Sequence, residues 1–178
     1  MPYLPYIGSG VFTVALGWAS GFVPQFVYKK DMQQLTSSYV NNPLQPPGYV
    51  FGIVWTTLYF LMGVAILNLW FAPASVGLSI FVKWFLIAWF FLQLGLNLAW
   101  TWIYYVLPLF QSVWATITLA ILVFMMLLVC LLASCINLYS AISPFNYIIA
   151  AACTVPYLTW TVFASALHLN SVFLNPGK

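Results

Sequence analysis

The sequence predicts an all-α membrane protein, a bundle of five transmembrane helices in one domain spanning residues 1–178. Three observations predict it. Of 178 residues, 65% are hydrophobic, 20% are aromatic and 3% are charged, whereas a soluble domain carries about a quarter of its residues charged. The apolar residues fall in long continuous runs, not in the ~10-residue alternating segments of a membrane barrel. Polar, Pro and Asn punctuation separates those runs at intervals that suit a hydrocarbon core of ~30 Å, which about 20 helical residues cross.

The first run covers 6–27 and stops at Lys29, Lys30 and Asp31; it starts without a basic n-region and reads as a retained helix. The second, 48–70, follows Pro46-Pro47-Gly48 and ends before Pro73. The third, 77–105, halts at Pro108. A fourth, 110–136, ends at Asn137, and the fifth, 144–173, ends at Asn175-Pro176-Gly177. The long connection 28–45, rich in Gln, Ser, Asn and Pro, is a candidate lid, because the other connections are a few residues each.

Charge excludes several function classes. Asp31 is the only acid, so paired-carboxylate catalysis, carboxylate cages for divalent metals and acid-based proton relays lack their residues. A net charge of +3 dispersed along the chain offers no phosphate-binding patch, and no nucleic-acid partner is expected. Cys130, Cys135 and Cys153 lie in apolar segments without CxxC spacing, as buried small residues do, and no metal site is expected. With five spans, Lys29, Lys30 and Lys178 share one side and Lys83 lies on the other. The positive-inside rule then puts the first loop and the C-terminus in the cytoplasm.

Polar side chains inside a span are costly unless paired within the bundle, so they mark internal faces or sites. Gln93 and Asn97 are one turn apart in the third span, and Trp100 and Tyr104 extend that stripe. Trp55, Tyr59 and Met62-Gly63 form a comparable stripe in the second span; Trp160, Ala164 and His168 form one in the fifth. Converging stripes of this kind would line a site for a flat aromatic or apolar ligand. Plainer readings stand beside each. Gln93 and Asn97 also suit interhelical hydrogen-bond glue, and single Trp and Tyr residues belong to interface belts. His168, the only side chain able to ligate haem iron through nitrogen, also suits hydrogen-bonded structure. Gly17 and Gly21 form a G-x-x-x-G pair that serves either internal packing or a dimer.

Three stretches carry a family resemblance. Pro46-Pro47-Gly48-Tyr49-Val50-Phe51-Gly52-Ile53-Val54-Trp55-Thr56-Thr57-Leu58-Tyr59-Phe60-Leu61-Met62-Gly63 resembles the start of the second helix of the TspO/MBR family. These are the tryptophan-rich sensory proteins, which include the mitochondrial translocator protein once called the peripheral benzodiazepine receptor. Gln93-Leu94-Gly95-Leu96-Asn97-Leu98-Ala99-Trp100 is similar to its third-helix pattern Q-L-x-L-N-x-x-W. Pro156-Tyr157-Leu158-Thr159-Trp160-Thr161-Val162-Phe163-Ala164 is similar to its fifth-helix P-Y-L-x-W-x-x-F-A.

The resemblance implies a membrane sensor or trafficking protein, usually dimeric, of a bacterial membrane or, in a eukaryote, the mitochondrial outer membrane. Its implied ligands are haem, protoporphyrin IX, sterols such as cholesterol, and benzodiazepine-type compounds; its surroundings are membrane lipid. By position, the implied ligand-binding residues are Trp55, Tyr59, Asn97, Trp100, Trp160, Phe163 and Ala164, with Gln93, Tyr104 and His168 as secondary candidates from the stripes. No cofactor is required, haem or protoporphyrin IX entering as ligand. Alternatives are a light-dependent porphyrin-degrading enzyme and a structural or transport subunit of a membrane assembly. The window 35–47 lacks both tryptophans of the family's W-Y-x-x-L-x-K-P-x-W-x-P-P pattern, which argues against an enzyme. The segment after Ala164 lacks the Tyr and Arg of the sterol pattern in animal members.

Overall fold

The computed structural model describes residues 3–27, 40–72, 78–106 and 145–174. They contain four helices: α1 (Leu4–Val27), α2 (Gly48–Phe71), α3 (Leu78–Val106) and α4 (Phe145–Leu174). All four are long and apolar enough to cross a membrane, and no strand occurs among the described residues. In lipid a spanning segment must satisfy its own backbone, which a continuous helix does. They occupy residues of the first, second, third and fifth expected spans. The predicted fourth span, 110–136, most of the candidate lid, and Cys130 and Cys135 lie outside the described residues; Cys153 is a half-buried free thiol.

α2 is the central helix, packed against α1, α3 and α4. Its start follows from Pro46-Pro47, which cannot continue a helix backward: Pro47 sits at the N-cap with extended backbone, and its carbonyl accepts the Val50 amide at 2.9 Å. Its C-terminal carbonyls are met by the Lys83 ammonium, which donates to Trp70 O at 2.6 Å and Ala72 O at 2.7 Å. Trp70 and Trp84 meet edge to face at this end, 5.6 Å between centroids, in the manner of an interface pair.

Lipid tails are as apolar as leucine, so small residues and hydroxyls, not hydrophobicity, hold the helices together. α1 crosses α2 at Gly10 and Gly63. A Cβ on Gly63 would lie 2.5 Å from Ser9 O and 2.6 Å from Gly10 Cα. Ser9 Oγ donates to Gly63 O at 2.8 Å, and the Thr13 hydroxyl makes its shortest contact, 2.6 Å, with Tyr59 O. Further along α1, Ser20 Oγ donates to Leu98 O of α3 at 2.7 Å. The two glycines of the G-x-x-x-G pair separate in role. Gly17 is buried where a Cβ would strike the Tyr59 ring, whereas a Cβ on Gly21 would meet nothing within 4 Å among the described residues.

The core runs along the inner faces of α2, α3 and α4 through Leu58, Met62, Ile66, Leu86, Phe90, Leu94, Tyr147 and Tyr157. Pro156 faces outward on α4, where its missing N–H and its ring cost the core nothing.

Candidate functional site

The stripes of α2 and α3 meet at Tyr59 and Asn97, and α4 joins them through Tyr157. Asn97 projects from α3 between two phenols: Tyr59 of α2 donates its hydroxyl to Asn97 Oδ1 at 2.7 Å, and Asn97 Nδ2 donates to the Tyr157 hydroxyl of α4 at 2.9 Å. One amide therefore ties three helices together at a buried level, where polar groups survive only if paired. Tyr157 is fully buried.

Above this chain, toward the first-loop ends of the helices, lies an aromatic cluster. The Trp55 ring is tilted over Tyr59 at 5.6 Å and meets Tyr157 edge on at 6.3 Å. Phe51, one turn before Trp55, meets Trp160 of α4 edge on at 5.6 Å. Trp160 also contacts Phe163 at 5.3 Å, and Phe163 itself is exposed on the outer side of α4. Trp55 and Trp160 are only half-buried, so each retains uncovered ring surface. The Trp160 indole N–H is buried without a hydrogen-bond partner among the described residues.

Ala164 is half-buried one turn beyond Trp160, and His168 is buried one turn further. Gln93 lies one turn below Asn97 and is almost wholly buried. The backbones of Trp100 and Tyr104 belong to α3, but their side chains lie outside the described residues. Among the described residues no group of three or more His, Cys, Asp or Glu is placed to hold a metal ion.

Three contributors were not singled out from the sequence. Tyr157 closes the hydrogen-bond chain; its position three before Trp160 on the same helical face was the available signal. Phe51, four before Trp55, carried the same signal. Asn42, at the end of the first loop, is buried against α4: its Nδ2 donates to Leu167 O at 2.9 Å and Ser171 Oγ at 3.1 Å. Its Oδ1 accepts from Asn170 Nδ2 at 2.8 Å and, in an Asx turn, from the Leu44 amide at 3.0 Å. The loop's end is thus fastened one to two turns beyond Ala164. The Asn42-Pro43 pair signalled only a turn.

Four apolar helices of spanning length, tied by buried amide, phenol and hydroxyl contacts, define an integral membrane protein of the helical-bundle class with an aromatic-walled polar seam. A model of the TspO/MBR family matches residues 11–174. The chain is 30% identical to a Tryptophan-rich protein TspO of Archaeoglobus fulgidus, over 98% of this chain and 99% of that protein. It is 27% identical to another protein of that name from Chlorobaculum tepidum, over 92% and 93% of the two chains. It is 26% identical to Protein CrtK of Rhodobacter capsulatus, over 75% and 73%. The chain belongs to the TspO/MBR family.

Proposed function

We propose that this protein binds a flat, largely apolar ligand of the tetrapyrrole or sterol type against the aromatic cluster of α2, α3 and α4, and acts as a membrane sensor or trafficking protein through its occupancy. The observation that carries the reading is half-buried Trp55 lying against both phenols of the Tyr59–Asn97–Tyr157 chain, with half-buried Trp160 of α4 meeting Phe51 one turn before Trp55. Trp55 and Trp160 supply stacking surface, the Trp160 N–H a donor, and Ala164 close approach to the α4 backbone. Lys83 is the only cation among the described residues and is engaged with carbonyls at the far end of α2, which supports a ligand held more by stacking and burial than by ion pairing.

The first loop and the C-terminus lie in the cytoplasm on this reading, following the lysine distribution. The protein works as a homodimer, for which the open helix surface at Gly21 is a permissive contact.

Titration of the purified protein with protoporphyrin IX should quench its tryptophan fluorescence saturably. Trp160→Ala, which removes a stacking wall worth about 1–2 kcal/mol, should weaken that binding about 5- to 30-fold. Unsaturable quenching, or an unchanged affinity in Trp160→Ala, refutes the tetrapyrrole ligand.

A further inference from the structure

No acidic side chain of this protein can neutralise Lys83. Asp31 is the only acid in the sequence, and it follows the last residue of α1, Val27, by four positions. α1 runs antiparallel to α2, since Gly10 packs at Gly63, Gly17 packs at Tyr59 and the Trp18 indole donates to Thr56 Oγ1 at 2.9 Å. The end of α1 therefore lies beside the start of α2. Lys83 bonds to the other end of α2, about 36 Å away along a helix of 24 residues, whereas four extended residues reach only ~14 Å.

The bundle offsets only part of the charge. Two of the three ammonium hydrogens go to Trp70 O and Ala72 O, and the end of a helix carries about half a negative charge. Capping those carbonyls needs only a neutral donor, so a cap alone does not account for a full positive charge at this half-buried position. Beside it stands the edge-to-face pair of Trp70 and Trp84, both exposed, as tryptophans are at the level of lipid headgroups. From Trp84 an exposed lane runs down α3 toward the middle of the membrane, through Ala88, Phe91 and Gly95 at spacings of three and four residues. A charged end, an aromatic collar and an apolar lane match the three parts of a phospholipid.

We infer that Lys83, Trp70 and Trp84 form a headgroup site for an anionic phospholipid, whose phosphate is the counter-ion of Lys83 and whose acyl chain lies along Trp84, Ala88 and Phe91. The phosphate accepts the third ammonium hydrogen. A headgroup of net negative charge is favoured over a zwitterionic one, which brings its own cation to the same phosphate. The site lies at the opposite end of α2 from the aromatic cluster and does not depend on the ligand proposed there.

Native mass spectrometry of the detergent-solubilised protein, incubated with equal amounts of phosphatidylglycerol and phosphatidylcholine of the same acyl chains, reads the ratio of the two lipids in the first adduct. The variant Lys29→Gln/Lys30→Gln/Lys178→Gln leaves Lys83 as the only lysine and keeps every bond described at this end of α2. It should still favour phosphatidylglycerol about fivefold, the value of one lysine beside an anionic lipid. Adding Lys83→Met in the same background, where the terminal amine is common to both proteins, should abolish the preference. Loss of the preference in the triple variant overturns the site, because the other lysines then held the lipid; this arm decides even where Lys83→Met does not fold. A preference that survives Lys83→Met overturns it as well, and a lowered melting temperature with an unchanged ratio overturns it in favour of a helix cap. Thermal unfolding separates the lipid from a free anion. Phosphatidylglycerol should raise the melting temperature of the triple variant and millimolar inorganic phosphate should not, equal shifts overturning the lipid in favour of a simple anion site.

Discussion

Asn42→Ala should unfasten the end of the first loop from the bundle without disturbing the bundle itself. In the native chain the Asn42 amide makes three bonds to α4, to Leu167 O, Ser171 Oγ and Asn170 Nδ2, and one local bond to the Leu44 amide. Alanine removes all four. The partners are not stranded equally. Leu167 O still accepts from Ser171 Oγ at 3.0 Å, and Asn170 is half-buried and can turn to water. The loss is therefore close to the net value of the three bonds between loop and helix, at about 0.5–1 kcal/mol each, or about 1.5–3 kcal/mol in total. Opening of residues 40–47 then becomes about 12- to 150-fold more frequent. Amide hydrogen exchange of a peptide covering these residues reads that number directly, with a peptide from the middle of α2 as internal standard. Acceleration of less than threefold would refute the idea that this side chain holds the loop; equal acceleration in α2 would mean that the substitution loosens the whole bundle. On the ligand reading proposed above, a released loop end should also speed protoporphyrin IX dissociation more than association.

Two other substitutions test the bundle's own logic. Gly63→Ala places a methyl against the backbone of Ser9 and Gly10, which cannot rotate away, and should cost about 2–4 kcal/mol through overpacking and loss of the Ser9 and Thr13 bonds; Gly21→Ala, into open space, should be neutral or slightly stabilising. Thermal unfolding in detergent compares them, and a Gly63→Ala protein as stable as Gly21→Ala would show that the α1–α2 crossing is looser than described. Asn97→Leu strands two phenol hydroxyls at a buried level and should cost about 2–3 kcal/mol, with Asn97→Leu/Tyr59→Phe recovering part of the loss because one orphan is removed. A double variant less stable than the single one would argue against the hydrogen-bond chain.

The spans were legible because the lipid dictates them. About 20 apolar residues between Pro, Asn and Lys punctuation leave little freedom, and α2 starts after Pro46-Pro47, where proline forbids extending the helix backward. The stripes were legible as well, since helical spacing alone puts Gln93 with Asn97 and Trp160 with Ala164. What the spacing did not carry is which stripe partners which. Tyr157 sits inside a recognisable motif, yet its bond to Asn97 joins residues 60 positions apart, and nothing in either segment announces the other. Asn42 pairs with residues more than 120 positions away from a stretch that reads only as a turn. The glycines show the same limit from the other side. A G-x-x-x-G pair marks a smooth surface, but whether an aromatic ring or an empty space lies opposite depends on another helix: Gly17 receives Tyr59 and Gly21 nothing, while the true backbone crossing falls at Gly10 and Gly63.

Tyr59 shows how the two halves of the bundle divide their work. Its backbone carbonyl takes the Thr13 hydroxyl from α1, its ring fills the space that Gly17 leaves open, and its own hydroxyl reaches Asn97 on α3. A residue held at three points by two neighbouring helices has little rotamer freedom left to lose, so the Trp55 ring tilted over it rests on a fixed support. The α1 side of α2, with its glycines and hydroxyls aimed at carbonyls, is spent on helix packing. The α3 and α4 side carries the tryptophans and the amides. Because α2 belongs to both, a tighter α1 contact stiffens the floor of the aromatic cluster without any α1 side chain needing to touch a ligand. That arrangement explains why the polar groups nearest the cluster are amides and phenols and not charges: in a bundle held by single hydrogen bonds of about 1 kcal/mol, an unpaired ion at this depth would cost more than any one contact returns.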